Sequence, residues 1–272
     1  MLKSNFAYGP HNGGFFSCCT VRLYNIMNYY NEHQSLPEIV DSSDHFELYK
    51  PEHLKNIHYD ILPEYFESRN SPDISGTSVS MKHGSIWVHF NVQFEQYQGL
   101  NFEVLSQFVD RYFTPTESIQ NRMENLKSKY QIDYEKTCVL FFRGNDKVTE
   151  TWVCRYDEII HHAKQVLEKQ PGIKFLIQSD ETEFIETMMQ TFPNHSFYLK
   201  DEIRHMPKQM SSVDLQFPET NYEFSKNFLA IMLMISKCKH VIMNGLGNCQ
   251  LWITLFRKCC EGVRWYELGT WR

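Results

Sequence analysis

From residue 138 onward, short apolar runs alternate with longer segments whose apolar residues recur at helical spacing. That alternation limits the available folds more than any other feature of the chain. It predicts strands at 138–142, 174–178, 196–198 and 240–243, and helices over 156–169, 181–191, 224–236 and 250–256. Strands that take turns with helices build a parallel sheet covered by helices. Ligands of such sheets bind outside the carboxyl ends of the strands, so the residues just past each strand are the first candidates for function.

Three such points stand out. The run Val139-Leu140-Phe141-Phe142 stops at Arg143-Gly144-Asn145-Asp146-Lys147 and reaches a carboxylate at Glu150. Arg143 offers a planar fork of donors suited to phosphate oxygens, and Glu150 is placed to serve as a base. The second point is Ser179-Asp180-Glu181. The third is Asn244-Gly245-Leu246-Gly247-Asn248, just before a helix, where free backbone N–H groups and the helix dipole favour an anion.

The first half opens in a similar way. A short strand at 5–8, a turn-rich loop at 9–14 that includes Asn12 and Gly13, and a helix at 16–30 lead to a second strand at 37–41. Arg22, on that helix, reads as a structural or solvated charge. Asp41, Asp44, His45 and Glu47 follow the second strand, and Asp44 and Asp41 are reserve candidates for the base. A strand is expected at 85–90. Thr114-Pro115-Thr116-Glu117 reads as a capped helix start, with the helix running from 115 to about 129. The expected organisation is therefore 1–113, a connecting helix at 114–129, and 130–272.

The chain of 272 residues is long enough for two ordinary domains. A net charge of −6 argues against binding to a nucleic-acid polymer, which needs a basic stripe. The longest apolar run, 228–235, is far too short to span a membrane, and the N-terminus lacks the features of a secretion signal, so a soluble cytoplasmic protein is expected. The 8 cysteines include two adjacent pairs and no Cys-x-x-Cys, which predicts reduced thiols and no zinc site. There is no Asp-x-Asp triad of the kind metal-dependent transferases use, so neither a metal nor another cofactor is expected. Neither phosphate-binding nor dinucleotide-binding glycine fingerprints occur.

From Val139 to the C-terminus the chain resembles the superfamily of α1,2-, α1,6- and protein O-fucosyltransferases, nearest to the α1,6 type. The family pattern His-x-Arg-Arg-x-Asp-Lys-Val, followed shortly by Glu, corresponds to the stretch from Phe141 to Glu150. The family's Ser/Thr-Asp-Asp strand end resembles Ser179-Asp180-Glu181, and its first Gly-x-x-Asn turn resembles the loop at 9–14. The resemblance implies a GT-B fold, with two Rossmann-like domains facing across a cleft. It also implies that Arg143 binds the donor diphosphate, that Asp146 and Lys147 support it, that Asp180 matches the first aspartate of the strand-end pair, and that Glu150 is the catalytic base. The chain departs from the pattern at three places: Phe141 stands where the family has a histidine that reads guanine, Gly144 replaces the second arginine, and Ala230 replaces an aspartate that reads guanine. An apolar residue cannot replace hydrogen bonds to a base edge. The donor expected is thus a nucleoside-diphosphate sugar, either a UDP-sugar such as UDP-xylose or GDP-fucose.

The expected activity is metal-independent, inverting transfer of one sugar to a glycan hydroxyl. Arg143 would act with Glu150, or with Asp44 in reserve, while Gly245, Leu246, Gly247 and Asn248 cradle the diphosphate. Asn12, Gly13, Ser179 and Asp180 complete the expected donor site. The alternative is a module on the same fold that binds a nucleotide or sugar without catalysis.

Overall fold

In the computed structural model, residues 5–7, 9, 11–69, 99–150, 152–245, 247–267 and 269–272 are described. The strand expected at 85–90 lies outside them, as does Leu246. The N-terminal half starts with a parallel β-α-β unit: β1 (Asn5–Ala7), α1 (Phe15–His33) and β2 (Ile39–Asp41). The apolar spacing seen in the sequence becomes the buried side of α1, with Phe15, Phe16, Leu23, Ile26 and Met27 inside. Arg22 also turns inward, where its Nη1 donates to Val40 O at 2.9 Å and to the Ser42 hydroxyl. It is a structural cation that ties α1 to the end of β2.

β3 (Phe66–Glu67), α2 (Phe102–Tyr112), β4 (Thr114–Pro115) and α3 (Glu117–Lys129) follow. The helix expected to begin at Pro115 begins at Glu117. Thr114 and Pro115 pair with β3 instead, and the Thr116 hydroxyl donates to Glu64 O at 3.2 Å rather than capping the helix. A long-range partner has outcompeted the local cap. α3 buries Ile119, Met123 and Leu126 and packs against the later helix α7, so it covers the C-terminal half rather than bridging solvent.

The C-terminal half is built from β5 (Thr137–Phe142), α4 (Tyr156–Lys169), β6 (Lys174–Ser179), α5 (Thr182–Thr191), β7 (Ser196–Tyr198), α6 (Val213–Gln216), α7 (Asn221–Lys237), β8 (His240–Met243), α8 (Asn248–Arg257), β9 (Val263–Glu267) and β10 (Thr270–Trp271). Its six-stranded sheet has the order β10-β9-β8-β5-β6-β7, parallel except for the β9–β10 hairpin at one edge. β5 is buried along its whole length, as a central strand covered on both faces must be. From β5 the chain steps out through β6 to β7, then crosses back to β8 on the other side of β5. The reversal opens a crevice beyond the carboxyl ends of β5 and β8.

The α/β class read from the sequence is the class observed. Among the described residues, the full Rossmann-like sheet belongs to the C-terminal half, and the N-terminal half supplies the β1-α1-β2 unit. The two halves share one core. Trp252 on α8 donates its indole N–H to the Thr20 hydroxyl on α1 at 3.0 Å and packs on Phe113 with ring centroids 4.7 Å apart. Among the described residues no helix is long and apolar enough to cross a membrane, and all eight cysteines are free thiols.

Candidate active site

The register of the sheet brings the three strand ends singled out in the sequence to one edge. Phe142 lies opposite Ser179, and Phe141 opposite Met243, so Arg143, Asp180 and Asn244 emerge side by side. Asn244 bridges the crevice. Its side-chain oxygen accepts from Arg143 N at 2.8 Å, and its amide group donates to Arg143 O at 2.7 Å. This pair of bonds fixes the backbone from which Arg143 projects. Gly245 follows at φ 123°, a left-handed conformation that a side chain would strain.

The Arg143 guanidinium is held by its neighbours. Nε donates to Asp180 Oδ2 and Nη2 to Asp146 Oδ1, both at 2.9 Å. Among the described residues, Nη1 reaches only the Cys249 sulfur, at 3.4 Å. Sulfur is a weak acceptor, so an incoming phosphate oxygen would displace it readily. Burial pulls the Arg143 pKa down, but the Asp146 and Asp180 charges more than reverse this and hold it well above its ordinary value. Burial likewise pushes the Asp146 carboxyl up, and the Arg143 and Lys147 charges outweigh it, leaving it below the usual range. Asp180 also accepts from Gly144 N at 3.0 Å, and its own backbone O accepts from Asn145 Nδ2 at 2.6 Å. It is therefore a scaffold for Arg143, buried beneath the site. Ser179 is buried beside it, where its hydroxyl accepts from Glu181 N at 3.0 Å.

A cavity of about 280 Å³ lies between the halves, lined by Arg143, Asp146, Lys147 and Glu150 on one side and by the loop from His11 to Gly14 on the other. Two helices begin on it. α1 starts after Gly14 and α8 after Gly247; neither glycine can cap its helix and neither first turn holds an acidic residue, although at α1 the Tyr49 hydroxyl accepts from Phe15 N at 2.7 Å. Such ends carry unsatisfied N–H groups and about half a positive charge each. Asn12 and Gly13 line the cavity as expected, with the Asn12 side-chain oxygen accepting from Glu47 N at 3.2 Å. Asn248 lines it from α8, and its buried side-chain oxygen has no hydrogen-bond partner among the described residues.

Other expected residues fall elsewhere. Asp44 is displaced from the cleft: its side chain is 69% exposed and pairs with His58 at 3.1 Å on the outer surface. Asp41, the last residue of β2, accepts from the Ser43 hydroxyl at 2.6 Å. Glu150 does line the cleft, but its carboxylate is taken up in an ion pair with the Lys147 ammonium. Leu246 lies outside the described residues. Phe141 and Ala230 are fully buried in the core, so neither position can present anything to a ligand. Gly144 has no room for the arginine that the family pattern carries there, since a Cβ would stand 1.9 Å from Glu181 Oε1.

The structure adds residues that the sequence reading missed. Asp214 on α6, Tyr49 and the aromatic pair Phe224 and Phe228 on α7 all line the cavity. The two rings are parallel, at an interplanar angle of 11°. Asp214 had no signal, because it lies on a four-residue helix inside a long connection and not at a strand end. Tyr49 lies in the stretch after residue 44 where no periodicity shows.

No protein-family model matches the chain, and no curated protein matches it in sequence. Among solved structures it is similar to NodZ α-1,6-fucosyltransferase. The structure soaked with GDP-fucose is 12% identical, with a TM-score of 0.40 over 63% of this chain and 52% of that one. The enzyme from Bradyrhizobium is 14% identical, with a TM-score of 0.38 over 64% of this chain and 51% of that one. A co-crystal structure with GDP is 14% identical, with a TM-score of 0.37 over 62% and 51%. The chain thus spans about half the length of the structures it matches.

Proposed function

We propose that the cleft binds a nucleoside-diphosphate sugar and transfers its sugar to a glycan hydroxyl, inverting the anomeric carbon. The observation that carries this reading is the convergence of two helix starts, α1 and α8, with Arg143 and Lys147 on one cavity at the point where the strand order reverses. A diphosphate suits the donors gathered there, the backbone N–H groups of the helix starts and Arg143 Nη1 with its weak sulfur acceptor. Arg143 and the two helix ends would stabilise the charge that develops on the leaving diphosphate. The stacked rings of Phe224 and Phe228 offer an apolar wall to a base or a sugar face. With Phe141 and Ala230 buried, no polar group reads guanine from those positions, which favours a UDP-sugar such as UDP-xylose over GDP-fucose.

The test is a thermal-shift panel with UDP, GDP, dTDP and CMP on wild type and Arg143→Ala. A nucleotide present at 100 times its dissociation constant stabilises the fold by about 2.7 kcal/mol. UDP is expected to raise the melting temperature of wild type and to lose that effect in Arg143→Ala. A chain that responds to none of the four does not bind this class of ligand.

A further inference from the structure

Two carboxylates that line the cleft, Glu150 and Asp214, differ in what already holds them. Glu150 is neutralised by the Lys147 ammonium three residues before it, so taking a proton would first require breaking that pair. Asp214 enters from the opposite wall. Its Oδ2 accepts from the Tyr49 hydroxyl at 2.7 Å, and the same hydroxyl accepts from Phe15 N, the first N–H of α1, at 2.7 Å. Tyr49 is buried, and burial together with the Asp214 charge raises its pKa well above the ordinary tyrosine value, so it remains a donor. The chain from Phe15 N–H through Tyr49 O–H to Asp214 therefore fixes one carboxylate oxygen. The other, Oδ1, makes a looser ion pair with Arg204 Nη1, at 3.9 Å and so beyond hydrogen-bond reach. The carboxylate also lies beside the start of α1, with Oδ2 4.0 Å from the place a Cβ on Gly14 would occupy. A base held by a third group, with one oxygen left for the reacting proton, is the arrangement that proton transfer requires.

On the reading of the cleft as a glycosyltransferase site, we infer that Asp214, positioned by Tyr49, is the general base that takes the acceptor hydroxyl's proton. Glu150 instead holds Lys147. As the acceptor oxygen bonds to the anomeric carbon, its proton passes to Asp214 Oδ1. The bond from that carbon to the diphosphate breaks, and its electron pair leaves with the nucleoside diphosphate beside Arg143.

The test compares two nucleophiles, with UDP-xylose and GDP-fucose as donors and the full chain as enzyme. Water must lose a proton as it attacks, whereas azide is already an anion and needs no base. Asp214→Asn, which keeps an oxygen for Tyr49, is expected to lower turnover to water by about 10²–10⁴-fold, the usual worth of a general base. The variant should still show the UDP thermal shift, and added azide should restore turnover with the glycosyl azide inverted. Tyr49→Phe is expected to lower kcat by a smaller factor with KM unchanged, and azide should rescue it in part. Glu150→Gln should show the same ratio of azide to water rates as wild type. The assignment is overturned if Asp214→Asn turns over water at the wild-type rate, or if azide rescue belongs to Glu150→Gln. Should wild type neither bind nor turn over either donor, the transferase reading fails, and the role of Asp214 fails with it.

Discussion

Gly144 gives up its side chain to a neighbour from the next strand end. The space a Cβ would need is filled by Glu181, which is fully buried and whose Oε2 accepts from the Tyr156 hydroxyl. Gly144→Ala is therefore expected to destabilise the fold by about 1–3 kcal/mol, the usual range for overpacking. Combining it with Glu181→Ala should give less than the sum of the two single changes in urea denaturation, because the collision is removed. In the sequence, Gly144 looks like a missing family arginine; only the fold shows that the site is already occupied. The charges of the cleft also make a statement at this scale. Arg143 and Lys147 face Asp146, Asp180, Glu150 and Asp214, so acid outweighs base before any ligand arrives. Glu150→Gln would release Lys147 and remove one negative charge, and is expected to tighten UDP binding roughly five- to tenfold, the scale of one screened charge interaction. Isothermal titration at two salt concentrations checks this, and weaker binding would show that Glu150 is needed to aim Lys147.

At the scale of elements, the strands and helices that alternate regularly were legible because each buries a periodic face against the sheet. The expected helix over 156–169 and the expected strand over 196–198 are observed at those positions, as α4 and β7. The elements that went unread depend on distant partners. β10 is two residues long and exists only as the hairpin partner of β9, while Thr114 and Pro115 became a strand because Phe66 and Glu67 lie beside them. The Arg143–Asp180–Asn244 edge was legible, since strand ends in a parallel sheet share one side. Asp214 was not, because its place depends on how the connection between β7 and α7 folds over the cleft. α8 shows how much a single element contributes: it begins at the cavity and buries Trp252 against Phe16, Phe113 and Phe256. Trp252→Ala would remove that packing and leave the Thr20 hydroxyl without its indole donor. The expected loss is about 3–5 kcal/mol. Chemical denaturation measures it, and a value below 1 kcal/mol would mean that the halves do not depend on this contact.

For the molecule as a whole, function requires the two halves to hold one geometry around the cleft, and a second set of contacts besides Trp252 does this. Glu64, just before β3, accepts from Lys226 Nζ at 2.8 Å and from the Tyr222 hydroxyl, both on α7. Tyr65 adds a hydrogen bond of 2.8 Å to the Ser225 hydroxyl. Burial raises the Glu64 carboxyl, but the bonds from Lys226 and Tyr222 overcome it and leave its pKa below the ordinary value. A carboxyl whose folded pKa is depressed stabilises the fold fully above its unfolded value, near 4.3, and loses that contribution as the pH falls through the folded value. Glu181 works in the other direction: burial raises its pKa against the Tyr156 bond, so its charged form costs stability as the pH rises through that value. Melting curves of wild type and Glu64→Gln should therefore differ by a constant amount from pH 5 to 7, with wild type the more stable, and the gap should shrink as the pH falls below about 4. A gap that persists unchanged at pH 3 would mean that the charge of Glu64 does not hold the halves together. Because Asp214 and Tyr49 face each other across the same junction, Glu64→Gln is also expected to weaken UDP binding at neutral pH, although Glu64 does not line the cleft.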